Sequence, residues 1–75
     1  MENFDIRLKT ISNIASGKDI SIVSLRLGDG YSISTINNYL SGNGKDVEKS
    51  EKIINEFKIL FVEKYHSILE SVNLL

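Results

Sequence analysis

The chain has 75 residues, which suits one small domain, and 41% of them are hydrophobic, enough for a packed core rather than disorder. It has no cysteine, which excludes disulfides and thiolate metal sites, and no proline, which leaves long helices possible. No apolar run approaches the ~20 residues needed to cross a bilayer and no basic, apolar leader is present, so we expect a cytoplasmic protein without a membrane partner.

The first predicted helix covers residues 3–16. Its apolar residues recur at spacings of four, three and four, which places them on one helical face. They are Phe4, Leu8, Ile11 and Ala15. Ile6 and Ile14 lie beside this stripe and can widen it, and Gly17 is expected to end the helix.

The second predicted helix covers residues 20–28 and leads into a turn. Ser24 is small enough for the point where two helices cross, and Gly28 is a good C-cap because glycine easily takes the left-handed conformation. Asp29-Gly30 adds a second turn signal. The residues expected to face the core are Ile22, Val23 and Leu27.

The third predicted helix covers residues 32–41, with Ser32 as its N-cap. One side holds residues expected in the core, namely Tyr31, Ile36, Tyr39 and Leu40. The remaining positions are Ile33, Ser34, Thr35, Asn37, Asn38 and Ser41. Serine, threonine and asparagine form helices poorly, so this composition indicates either a ligand-binding helix or a loop-like helix without a ligand.

The fourth predicted helix covers residues 46–73, with Asp46 as N-cap and Glu48 in its first turn. Its length of ~40 Å exceeds what a small core can cover. The apolar residues beyond that core, which we expect to form a dimer interface, are Phe61, Tyr65, Ile68, Leu69 and Val72. The alternative is a chain break near His66 that folds the end back onto the first helix.

Neither glycine-containing loop matches a phosphate-binding motif. Gly28-Asp29-Gly30 lacks a third glycine at the required spacing, and in the later loop Tyr39 stands where a P-loop needs its first glycine. The single histidine has no histidine or cysteine companion, and no nucleophile–base–acid set is present. We therefore expect no enzyme, no cofactor, no metal site and no small-molecule substrate.

Residues 21–44 resemble the helix-turn-helix of lambda-repressor and Cro-like domains. Ser24 stands at the small position of the first helix, Gly28 at the start of the turn, and Ile36 at the aliphatic anchor of the second helix. The resemblance implies an all-α, four-helix bundle-like helix-turn-helix domain over residues 1–75. Two departures are the turn, which Asp29-Gly30 lengthens by two residues, and a serine where alanine is commonest at position 24.

A longer stretch, STINNYLSGNGKDVEKSEKIINEF, is similar to the N-terminal DNA-binding domain of Mu B-type transposition ATPases. In that pattern a recognition helix runs through a Gly-Lys-Asp-type loop into a long helix. The resemblance implies a domain of a larger mobile-element protein, either a transposition protein or a replication initiator. The first resemblance implies instead a phage or plasmid repressor.

The net charge of −1 argues against DNA binding, but the charge is unevenly distributed. Residues 17–45 hold Lys18, Arg26 and Lys45 against two aspartates, a balance of +1, whereas residues 46–75 hold four lysines against six carboxylates, a balance of −2. The excess acid therefore lies mostly in the fourth helix. The helix-turn-helix itself is weakly basic.

The sequence favours specific binding of double-stranded DNA by a homodimer. By the family pattern, the expected base contacts are Ile33, Ser34, Asn37 and Asn38. The expected phosphate contacts are Lys18, Ser21, Arg26, Ser32, Thr35, Ser41, Asn43, Lys45 and Lys49. The alternative is a helical dimerisation or protein-interaction domain that does not bind DNA. The two hypotheses are distinguished by whether four cations form one face with Ser34, Asn37 and Asn38, which would favour DNA binding. These cations are Lys18, Arg26, Lys45 and Lys49.

Overall fold

The computed structural model of the protein describes residues 4–75, and within this range it contains four α-helices and no strand. Helix α1 spans Phe4–Ile14, α2 spans Gly17–Leu27, α3 spans Ile33–Leu40 and α4 spans Val47–Asn73. The all-α prediction is confirmed. The predicted start of the first helix at residue 3 lies outside the described residues.

The boundary between α1 and α2 differs from the prediction. Helix α1 ends at Ile14 and α2 begins at Gly17, three residues before the predicted start. The cause is a capping box: Ser16 Oγ accepts from the Asp19 amide at 3.2 Å, and Asp19 Oδ2 accepts from the Ser16 amide at 3.0 Å. Ser16 has extended backbone angles, so the break falls there, and Gly17 starts a helix instead of ending one.

The core lies between α4 and the three shorter helices. Helices α1 and α2 pack against both α3 and α4. The buried residues are Leu8, Ile11, Val23, Tyr31, Ile36, Tyr39, Leu40, Ile53, Ile54, Phe57 and Leu60. The predicted α1 stripe is confirmed, because Phe4 and Ala15 also pack against this cluster. Ile6 and Ile14 do not widen it into the core, since they are 63% and 62% exposed.

The turn between α2 and α3 is long but closed by hydrogen bonds. Gly28 caps α2 with a φ of 81°, and its amide donates to the Ser24 carbonyl at 3.0 Å. The Tyr31 amide then donates back to the Gly28 carbonyl at 3.1 Å. Ser24 Oγ donates to the Tyr31 carbonyl at 2.7 Å, so the small residue expected at the crossing fastens the turn to α2. The two additional turn residues therefore form a defined structure.

Helix α4 runs without interruption past His66 to Asn73. Asp46 caps its start as predicted, accepting from the amides of Glu48 and Lys49 at 2.9 and 3.3 Å. The alternative of a break near His66 that folds the chain back is wrong. The helix is ~40 Å long and matches the molecule's longest dimension of 45 Å. Leu60 is its last buried residue and residues 62–73 are all exposed, so nearly half of the helix extends beyond the core.

A buried carboxylate ties α2 to the extended part of α4. Asp19 is 3% exposed, and Lys64 Nζ donates to its two oxygens at 3.0 and 3.1 Å. The hydrogen bond from the Ser16 amide and then the charge and hydrogen bonds of Lys64 lower the pKa of Asp19, against the opposing effect of burial. The Asp19 carboxylate therefore takes part both in the capping box of α2 and in the ion pair with Lys64.

Candidate nucleic-acid interface

Helix α3 exposes a continuous face of uncharged side chains. The exposed residues of this helix and its C-cap are Ile33, Ser34, Asn37, Asn38 and Ser41. At about 100° per residue they fall within an arc of about 140°, so they share one side of the helix. This set contains all four residues predicted to contact bases. The face holds amide, hydroxyl and aliphatic groups and carries no charge.

The opposite side of α3 fixes this face relative to the domain. Ile36, Tyr39 and Leu40 are buried in the core. Ser32 caps the helix as predicted, with its Oγ accepting from the Thr35 amide at 3.1 Å. The Ser32 and Thr35 hydroxyl oxygens also lie 2.9 Å apart in a hydrogen bond. Only one hydroxyl hydrogen is used within this pair, so the other can still donate to a phosphate.

Lys49 lies at the N-terminal end of α3, although it belongs to α4. Its Nζ donates to the Gly30 carbonyl at 3.3 Å and stands 5.4 Å from the centroid of the Tyr31 ring. An ammonium has three donors, so this contact leaves others for a ligand. Sequence reasoning placed Lys49 among the phosphate contacts, but its partner is 19 residues away and no local pattern signalled the contact.

The loop after α3 is held against the end of that helix. The Asn43 amide donates to the Asn38 carbonyl at 2.9 Å, and Gly42 allows this turn with a φ of 87°. The backbone of Gly44 packs so tightly against the Tyr39 ring that a Cβ there would collide with it. Asn43 and Lys45 are exposed on this loop. The loop thus adds a cation and a polar side chain beyond the C-terminal end of α3.

Arg26 does not belong to this group. Its Nη1 lies 2.8 Å from Glu63 Oε1 and 3.5 Å from Glu56 Oε1, both on α4. The hydrogen bond to Glu63, and then the neighbouring carboxylates, raise its already high pKa. In the structure Arg26 is thus held in ion pairs with two carboxylates of α4, and its role as a phosphate contact stays a prediction.

The remaining predicted phosphate contacts lie on α2. Lys18 is exposed in the first turn of this helix, and Ser21 is half-buried one turn later. No described contact joins either of them to α3. Whether the four cations form one face with α3 was the feature that distinguishes the two hypotheses. In the structure two adjoin the ends of α3, one is paired with carboxylates of α4, and one stands at the start of α2, so the four do not form one face.

A second exposed surface is apolar. The predicted interface residues Tyr65, Ile68, Leu69 and Val72 are exposed on α4, and Phe61 is half-buried at their inner end. A groove of about 310 Å³ between α1 and α4 continues this surface and brings in Ile6 and Ile14. We call the seven residues the α1–α4 apolar surface. The α1 part of this surface was not predicted from the sequence. The positions of Ile6 and Ile14 beside the core-facing stripe were the signal that could have indicated it.

No helix among residues 4–75 is both long and apolar enough to cross a membrane. Comparisons of the chain with protein-family models, with curated proteins and with solved structures found no match.

Proposed function

We propose that this domain binds double-stranded DNA by inserting α3 into the major groove. The observation that carries the proposal is the exposed α3 face, where Ser34, Asn37 and Asn38 stand on a helix fixed from behind by buried residues. An α-helix fits the major groove, and asparagine and serine side chains can hydrogen-bond to base edges there. A solvated helix without a ligand gains nothing from three such poor helix formers.

Cations at the two ends of this face support the proposal. Lys49 lies beside the turn that leads into α3, and Lys45 lies on the loop after it. Lysines flanking a recognition helix can contact the phosphates on either side of the groove. Because Arg26 is paired with Glu56 and Glu63, we expect the phosphate footprint to be small. We therefore expect modest affinity for each protomer and a steep gain from dimerisation.

A homodimer through the α1–α4 apolar surface fits this requirement. A group of neighbouring exposed apolar side chains favours association. A two-fold dimer formed in this way would present two copies of α3 to a palindromic site. The expected separation of the half-sites is about 34 Å, one turn of DNA. The lambda-repressor and Cro-like resemblance predicts the same arrangement. Within this proposal the domain belongs to a repressor or to a replication or transposition protein.

The second candidate function is helical dimerisation or protein interaction without DNA. The observations favouring it are the α1–α4 apolar surface, the net charge of −1, and the dispersed positions of the four cations, which do not form one face with α3. On this alternative the α3 face is only a solvated surface. Replacing its asparagines would then leave every interaction of the domain unchanged.

The test compares binding to a duplex selected from random DNA with binding to an unrelated duplex. Asn37→Ala and Asn38→Ala should each weaken the selected complex by about 1–3 kcal/mol and relax the preference at one base pair. Asn55→Ala, at an exposed asparagine of α4 outside the proposed contacts, serves as the control. Equal losses on both duplexes would remove Asn37 and Asn38 from the base-reading set.

A further inference from the structure

The exposed face of α3 has a chemical bias that limits which bases it can recognise. Helix α3 contains no arginine, lysine, aspartate or glutamate between Ile33 and Leu40. Cations lie at the two ends of the helix: Lys49 Nζ donates to the Gly30 carbonyl before it, and Lys45 is on the loop after it. Any base readout by this face therefore uses amide, hydroxyl and aliphatic groups alone.

These groups match adenine and thymine. Asparagine can donate to N7 and accept from N6 of adenine through a bidentate pair, and an apolar side chain can contact the C5-methyl of thymine. Guanine is most often read by arginine or lysine at O6 and N7, and cytosine by a carboxylate at N4. The α3 face has the asparagine and apolar side chains that recognise adenine and thymine, and it lacks the charged side chains that recognise guanine and cytosine. Its serine hydroxyls serve either kind of base.

We propose that the α3 face recognises an A·T-rich half-site in the major groove, with Asn37 and Asn38 at adenines and Ile33 at a thymine methyl. This inference rests on the proposed function and specifies its ligand. Ile33 is 47% exposed at the start of the helix, so its aliphatic end is available for such a contact. The side chains that pack into the core take no part in reading.

The spacing of these residues sets the size of the half-site. Ile33 and Asn37 are one turn apart, about 6 Å along the axis, and Asn38 is about 1.5 Å further along and about 100° around the helix. The whole helix rises about 12 Å, whereas base pairs repeat every 3.4 Å. The face therefore covers three to four base pairs. Within this half-site we expect Ile33 and the two asparagines to contact different base pairs.

The test begins with selection of bound sequences from a random duplex library by the full chain at low salt. We expect each half-site to enrich a core of three to four A·T pairs. In the enriched duplex, replacing the adenine read by Asn37 with 7-deazaadenine removes its N7 acceptor. This change should weaken binding by the unmutated protein about 5- to 150-fold and have no further effect on Asn37→Ala.

A second base change tests Ile33 by removing only the thymine methyl. Deoxyuridine in place of the contacted thymine should weaken binding about fourfold, the value expected for one buried carbon. Ile33→Ala should be insensitive to the same replacement. Ile33 is half exposed, so we expect Ile33→Ala to keep the fold. Circular dichroism of its helical content checks this expectation.

The outcomes separate the inference from the function on which it rests. An enriched G·C core, or equal sensitivity of Asn37→Ala and the unmutated protein to 7-deazaadenine, overturns the A·T inference while leaving DNA binding intact. Failure to enrich any sequence, together with no binding to the random pool at low salt, overturns both.

Discussion

Asp19→Asn offers a sharp test of the packing between α2 and α4. The carboxylate is almost fully buried and accepts hydrogen bonds from the Ser16 amide and from Lys64. Asparagine keeps one oxygen but loses the charge and turns an NH₂ group toward the lysine. A hydrogen bond to a charged group contributes about 1.5–3 kcal/mol. Because the Lys64 side chain is half exposed, its share is reduced by solvent screening, and we expect a total loss of about 1–3 kcal/mol.

The pH dependence of this loss identifies its cause. The native pKa of Asp19 is lowered, so its stabilising effect is fully present above the unfolded value of about 3.9 and disappears as the pH falls through the native pKa. The stability difference between the unmutated protein and Asp19→Asn should therefore be constant near neutral pH and shrink in acid. Urea unfolding followed by circular dichroism at several pH values measures it.

Two further variants divide the effect. Lys64→Ala should keep part of the acid sensitivity, because the largest cause of the lowered pKa is the Ser16 amide. Asp29→Asn, at an exposed carboxylate in the α2–α3 turn, should change stability little. A stability difference for Asp19→Asn that stays the same from neutral pH to below pH 4 would refute an ionised, hydrogen-bonded Asp19.

Three other predictions concern the glycines, the phosphates and the apolar surface. Gly44→Ala should lower the free energy of unfolding in urea by about 1–3 kcal/mol, because its Cβ meets the Tyr39 ring. Gly17→Ala has open space in a helical first turn and should raise that free energy by about 0.5–1 kcal/mol. Equal changes in the two variants would contradict the packing of Gly44 against Tyr39. Lys45→Ala should reduce the steepness of log affinity against log salt by about one unit, while Lys9→Ala, at an exposed lysine of α1 outside the proposed contacts, should not. Ile68→Glu combined with Leu69→Glu should give monomers in sedimentation that keep their helical signal and lose tight palindrome binding; a monomeric unmutated chain at tens of micromolar would overturn the dimer.

The elements with local signals were predictable from sequence. Ser32 and Asp46 cap their helices as expected, and Gly28 ends α2, because a cap depends on residues only two or three positions away. Among the N-caps of α2, α3 and α4, Ser16 was missed, because its partner Asp19 is shorter than the usual glutamate of a capping box. Gly17 was therefore misread as a terminator.

Contacts between residues that are far apart in sequence were harder to predict. Arg26 looked available because its partners Glu56 and Glu63 are about 30 residues or more away in sequence, and only the packing of α2 on α4 brings them together. The contact of Lys49 with the α2–α3 turn is of the same kind. The exposed positions of Ile6 and Ile14 likewise depend on where α4 crosses α1.

The most direct test of the central claim observes the α3 face itself during binding. In a nitrogen-15-labelled protein, the side-chain amide signals of Asn37 and Asn38 can be followed while a selected duplex is added. DNA binding through α3 predicts large shifts of these signals and of the backbone amides of residues 32–45, with Asn55 unchanged. Unchanged Asn37 and Asn38 signals under saturating DNA would contradict it.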